Sequence, residues 1–234
     1  MKVIRVARLD LPVASTEFQA EVAALPDRWM PHFQKLHYEG GWTVLPLRSL
    51  EGNLDEKFPF ALGGRPANYA ATPLLALCPA IGAFLDSLSC PVLSARLLNL
   101  RSGSVIKPHQ DMELAFENGE ARLHIPIFTN PEVEFVIDDE RVVMEPGTCW
   151  YINANLMHHV TNRGASDRIH LVVDCVVDDW LRAQFAKAET HYSEQRRDPQ
   201  ELRQIIARLR EMDLPAVPAL IAELEEELAG AERG

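Results

Sequence analysis

The stretch VLSARLLNLRSGSVIKPHQD, residues 92–111, decides how this chain reads. It holds two short apolar runs, 94–101 and 104–109, divided by a turn at Ser102-Gly103. Runs this short, bounded by turn residues, read as strands. The second run ends at His109, with Asp111 two positions on. Side chains at i and i+2 of an extended chain lie on one side, so an imidazole and a carboxylate converge there. Pro108 biases the residue before it toward the extended geometry this needs.

The same texture continues downstream. Strands are predicted at 121–128, 133–137, 140–144, 148–152 and 168–177, with breaks at Asn130-Pro131, Asp138-Asp139, Pro146-Gly147 and Arg163-Gly164. Asp138-Asp139, between two apolar runs, reads as a hairpin turn. Many short strands at close spacing predict a sandwich or barrel, and a jelly roll fits best.

Upstream, Val3–Leu9 reads as a strand, followed by a helix to Leu25 capped by Ser15 or Thr16, with Phe18, Val22 and Leu25 on its stripe. Trp42–Arg48 reads as a strand and Gly52–Asn68 as a loop. Pro73–Leu88 reads as a buried helix with Leu75, Leu77, Ile81, Leu85 and Leu88 in the core. Beyond the strands, Asp178-Asp179 opens a helix and His191–Asp198 reads as a linker. Asp198-Pro199 has the N-cap and first-turn chemistry of a helix start. Leu202, Ile205, Ile206 and Leu209 form its stripe, and a last helix carries Leu220, Ile221, Leu224 and Leu228. The expected fold is mainly β with flanking helices, a jelly-roll core over 1–190 and a helical extension over 191–234. That extension is expected to pack on the core or to join two copies in a homodimer.

A net charge of -11 over 234 residues argues against a nucleic-acid or anionic-membrane surface. The N-terminus lacks the apolar core of a signal peptide, and no apolar run approaches the roughly 18 residues of a membrane span. Cys78, Cys90, Cys149 and Cys175 are scattered without metal or redox spacing, as expected of free thiols in a cytoplasmic protein.

An isolated His-x-Asp is a weak signal. Its setting strengthens it, because LMHHVTN, residues 156–162, supplies further imidazoles after several more strands. His158 and His159 compete for one role, since neighbours in extended chain point to opposite faces. Two imidazoles and one carboxylate leave open positions on iron(II), which oxygen activation requires. Arg168 opens the next strand, and its planar fork suits a carboxylate. A substrate carboxylate would want more cations. Arg48, Arg96 and Arg101 are candidates, with Trp42 as a wall, while His32 and His37 are expected at the surface near the entrance.

Several stretches together resemble the aspartyl/asparaginyl β-hydroxylase family of iron(II)/2-oxoglutarate oxygenases, and within it the bacterial proline cis-hydroxylases. They are Tyr38-x-x-x-Trp42 with Leu47-Arg48, Ala95-Arg96-Leu97-Leu98, Pro108-His109-x-Asp111, Arg122-Leu123-His124-Ile125, Gly147-x-x-Trp150, and His158 with Arg168-Ile169-His170-Leu171-Val172-Val173-Asp174. The resemblance covers roughly 1–185 and implies a double-stranded β-helix. Family spacing, with the histidine ten residues before the arginine, selects His158 over His159. It implies iron(II) on His109, Asp111 and His158, 2-oxoglutarate on Arg168 with Arg122 and His124 beside it, and O2 as oxidant. Asn153 departs from the aspartate common in relatives. The implied activity is hydroxylation of an amino acid or an aspartyl- or asparaginyl-type residue. Competing expectations are oxidation of a natural-product intermediate by the same site, a cupin-like metalloenzyme without 2-oxoglutarate, and a non-catalytic metal-binding jelly roll.

Overall fold

The structure is a computed structural model describing residues 2–55, 68–111, 114–194, 199–211 and 217–231. The chain divides into a large unit, 4–191, and a small one, 1–3 with 192–234.

Strands β1 (Lys2–Leu9), β2 (Met30–Pro31), β3 (Tyr38–Glu39), β4 (Trp42–Leu50) and β5 (Tyr69–Ala71) precede the central run. That run is β6 (Val92–Leu100), β7 (Val105–His109), β8 (Glu120–Phe128), β9 (Val133–Ile137), β10 (Glu140–Val142), β11 (Cys149–Ile152), β12 (His158–Asn162) and β13 (Arg168–Val176). The larger sheet runs β1-β11-β8-β13-β6-β4-β2, with β5 beside β4, and the smaller runs β10-β9-β12-β7-β3. From β6 onward the chain alternates sheets: β6, β8, β11 and β13 lie in the larger, and β7, the β9–β10 hairpin and β12 in the smaller. This alternation of antiparallel strands is a double-stranded β-helix, the jelly-roll form.

The larger sheet is buried on both faces, and side-chain parity sorts the residues. Leu97 on β6, Leu123 and Ile125 on β8, and Leu171 and Val173 on β13 pack on the outer side. There they meet helix α1 (Ser15–Ala24) through Phe18 and Val22, and helix α2 (Pro79–Ser87) through Ile81, Phe84 and Leu85. Phe18 and Phe84 meet edge to face with centroids 5.8 Å apart. Each such side chain stabilises the fold by about 1.5–3 kcal/mol on burial. The opposite parity, Arg96, Arg122, His124, Arg168 and Asp174, lines an internal cavity.

The hairpin at Asp138-Asp139 is a two-residue loop with φ of 50° and 60°, and Ile137 pairs with Glu140 across it. Two positive φ values give a turn of type I′, whose twist matches the strands it joins. Helix α3 (Asp179–Phe185) starts as its sequence predicts, the Asp178 side chain accepting from the Leu181 N–H at 2.9 Å.

Four local expectations differ. Ser15 lies inside α1, which begins after Ala14 without a side-chain cap. The predicted 73–88 helix is a 3-10 turn at Leu75–Leu77 followed by α2, because Pro79 cannot supply an interior N–H. Leu77 is consequently 54% exposed. Residues 158–162 form a strand that was not among those predicted. Part of the predicted linker is β14 (Glu189–Glu194); 195–198, including the Asp198 cap, lie outside the described residues, as does most of the loop predicted at 52–68.

In the small unit, α4 (Pro199–Arg210) and α5 (Val217–Ala231) bury Leu202, Ile206 and Leu224 against each other, flanked by Ile205, Leu209, Ile221 and Leu228. Among the described residues no helix is long and apolar enough to cross a membrane.

Candidate metal and cosubstrate site

Strands β7 and β12 pair so that His109 and His158 stand directly opposite each other, ring centroids 4.2 Å apart. Asp111 follows β7, where its N–H donates to the Ala154 carbonyl at 2.8 Å. One nitrogen of each imidazole and one Asp111 oxygen all lie within 4.8 Å of one another. His159 points to the other face of β12, is half-buried and stands outside this group.

Two observations test whether a metal fits. His109 Nδ1 lies 2.8 Å from the Lys107 carbonyl and His158 Nδ1 lies 2.9 Å from the Leu156 carbonyl. A carbonyl only accepts, so both Nδ1 atoms carry the proton and both Nε2 lone pairs are left for a ligand bond, the usual support of a metal-binding imidazole. The protonation states also fit. Burial lowers the pKa of both histidines, His158 to about 4, so they are neutral at pH 7. At Asp111 burial works in the raising direction, but Arg122 and the two imidazoles outweigh it and the carboxyl is ionised. Two neutral imidazoles and one carboxylate can hold iron(II) on one face.

The triad opens on a cavity of about 420 Å3, whose wall also includes Trp42, Arg96, Arg122, His124, Phe135 and Arg168. Arg168 is only 2% exposed. Its guanidinium donates to His170 Nδ1 at 2.9 Å and approaches the Phe135 ring, with 6.0 Å to the centroid. Its Nε has no partner, and among the described residues it pairs with no carboxylate. Burial alone pulls its pKa down to about 9. A buried cation without a counter-charge is costly, and an anion from outside would remove that cost. His124 is beside it, with neither ring nitrogen bonded. Burial, reinforced by Arg168, keeps that ring neutral.

The remaining sequence candidates separate. Arg96 lines the cavity, but one of its nitrogens is held by Asp174 at 2.8 Å. Trp42 also lines it, 6.5 Å from His109 between ring centroids. Arg48 lies outside the cavity wall and donates to the Val92 carbonyl at 3.0 Å. Arg101 is exposed. Asn153 is a turn tie: its amide donates to the Ile4 carbonyl at 3.0 Å and its oxygen accepts the Asn155 N–H at 3.1 Å.

His32, expected at the surface, is a buried part of the cavity wall. It stacks on Trp42 at 3.6 Å, and burial, with Arg96 next in effect, lowers its pKa to about 3. Asp174 carries no predicted role but braces Arg96 and Arg122. Its signal was parity, since residues 168, 170, 172 and 174 share one face of β13.

Two imidazoles and a carboxylate grouped inside a double-stranded β-helix are the donor set expected of a non-haem iron(II) oxygenase. The family model for aspartyl/asparaginyl β-hydroxylase matches residues 14–177, and the chain belongs to that family. It is an enzyme that uses iron(II), 2-oxoglutarate and O2. Among solved structures it is similar to a 2OG-Fe(II) oxygenase-family oxidoreductase from Burkholderia pseudomallei, with 14% identity and a TM-score of 0.46 over 69% of this chain and 77% of that one. A predicted oxalate decarboxylase from Thermotoga maritima matches at 12% and 0.36, over 66% and 96% respectively. A cupin 2 conserved barrel protein from Salinispora arenicola matches at 18% and 0.28, over 43% and 75%.

Proposed function

We propose that the enzyme hydroxylates a small amino acid, or an aspartyl- or asparaginyl-type residue, at an unactivated C–H bond. On this reading His109, Asp111 and His158 hold the metal, and Arg168 binds the far carboxylate of 2-oxoglutarate with Arg122 and His124 beside it. Bound iron(II) with 2-oxoglutarate supplies the oxidising chemistry: the substrate C–H becomes C–OH while 2-oxoglutarate and O2 give succinate and CO2. The chain's own contribution is placement and exclusion of water. Backbone carbonyls at 107 and 156 fix both imidazole tautomers. Arg122 occupies one Asp111 oxygen and leaves the other for the metal. Trp42, stacked on His32, and Arg96 form the wall against which a substrate would lie.

The observation that carries this reading is Arg168, a buried guanidinium with no acidic partner among the described residues, in the same cavity as the triad. The cavity volume, near the lower end of the roughly 300–1,000 Å3 of small-molecule sites, favours a substrate of amino-acid size over a bulky one. Four buried free cysteines support a reducing, cytoplasmic setting. The test is anaerobic binding of iron(II) and 2-oxoglutarate, then a screen for succinate release over free amino acids and short peptides. Loss of substrate-dependent succinate in Asp111→Ala is the expected control. Wild-type succinate release in that variant would refute the ligand set.

A further inference from the structure

Asp174 is 4% exposed and lies outside the triad, yet it accepts four side-chain hydrogen bonds beside it. Sheet register explains why. On β13 it stands opposite Arg122 of β8 and Ser94 of β6, and Arg96 lies two residues from Ser94 on the same face. One Asp174 oxygen accepts from Arg122 Nε at 2.7 Å. The other accepts from Arg122 Nη2 at 3.2 Å, Arg96 Nη1 at 2.8 Å and Ser94 Oγ at 3.1 Å. Two of the three Arg122 nitrogens are thereby anchored, and the third, Nη1, is aimed at Asp111 Oδ2.

We propose that Asp174 is a positioning residue for the metal: it fixes Arg122, and Arg122 in turn presents Asp111 through a single free oxygen. Two physical effects combine. The anchored fork cannot swing to claim both Asp111 oxygens. The Asp174 charge also offsets two guanidiniums that would otherwise repel an incoming dication. The inference rests on the proposed ligand set, and its test separates the two.

The measurement is Mn(II) affinity of the full chain, by calorimetry or by the EPR signal of free Mn(II), with thermal melting alongside. Asp174→Asn releases Arg122 and is expected to weaken Mn(II) binding by roughly 10–100-fold, the usual effect of losing an outer support of a metal ligand. Asp174→Glu keeps the charge but displaces the fork by one methylene, and weakens binding in the same direction. In an Arg122→Lys background, itself weakened, the charge-keeping Asp174→Glu makes no further difference. A carboxylate that only braces the fold would lower the melting temperature and leave the Mn(II) affinity of the folded protein unchanged. Wild-type affinity in either folded Asp174 variant overturns the proposal, as does a further loss in the Arg122→Lys background. If neither Asp174 variant folds, Arg122→Lys decides, and unchanged affinity there overturns it too. Asp111→Ala distinguishes the premises: retained Mn(II) binding sinks the ligand set, whereas its loss with unaffected Asp174 variants sinks only the positioning role.

Discussion

Replacing Arg168 with methionine should make the protein more stable and unable to hold its cosubstrate. The guanidinium is 2% exposed, and burial brings its pKa down from the ordinary guanidinium value to about 9. That shift corresponds to about 5 kcal/mol against the charged form. The sign follows from linkage: above about pH 9 the unfolded chain holds the proton more tightly, so at pH 7–8 the full penalty is present in the folded state. The hydrogen bond to His170 and the Phe135 ring return part of it. Methionine has similar reach and no charge, and replacing buried charges by apolar groups of similar volume often stabilises by about 1–4 kcal/mol. In a chain of this size a gain of 2 kcal/mol raises Tm by roughly 4–8 °C. The assay is a thermal melt of metal-free protein with and without 2-oxoglutarate. Wild type should gain about 2.7 kcal/mol from cosubstrate at a hundred times its Kd, and Arg168→Met nothing. A variant that melts below wild type and still responds to 2-oxoglutarate refutes the reasoning.

Acid should unfold the metal-free enzyme early. Burial holds His32 near 3 and His158 near 4, and keeps His124 and His170 far below 6.5. All four depress the folded pKa, so their contribution is complete above about pH 6.5 and falls as pH drops toward 4. Each histidine held neutral in the fold adds a slope of at most about 1.4 kcal/mol per pH unit in that window; a Tm flat from pH 7 to 4.5 would contradict this. Asn153→Ala strands the Ile4 carbonyl and loosens the turn that holds Asp111, costing about 1–3 kcal/mol in denaturant melts and weakening Mn(II) binding. Unchanged Mn(II) affinity would detach that turn from the metal. If the α4–α5 hairpin joins two copies, truncation after His191 converts a dimer to a monomer by sedimentation; a monomeric full chain rules this out.

The larger sheet was legible because its strands have apolar residues on both faces or alternate cleanly, as in β6, β8 and β13. Strand β12 was not. Its burial alternates regularly, but two of its three inward residues are His158 and Asn162, so hydropathy carries no strand signal there. The polar interior that hid the strand is also what makes the site. Asp111 and His109 could be paired from spacing alone, whereas choosing His158 over His159 needed the family's spacing. His32 read as a surface residue because its burial depends on Trp42, ten residues away in sequence and stacked on it in space. Arg48 and Arg96 look equivalent in sequence, and only the cavity wall separates them.

The triad's histidines and Arg168 come from different sheets: His109 and His158 belong to the smaller, Arg168 to the larger. Asn162, wholly buried, clips the connection between β12 and β13 by donating to the Leu100 and Ser166 carbonyls and accepting from Gly164. On the proposed roles, the gap between the sheets is then a length gauge. A keto diacid must bridge it with one end on each wall, so adding or removing a methylene should be rejected by the scaffold itself, whatever side chains face the substrate.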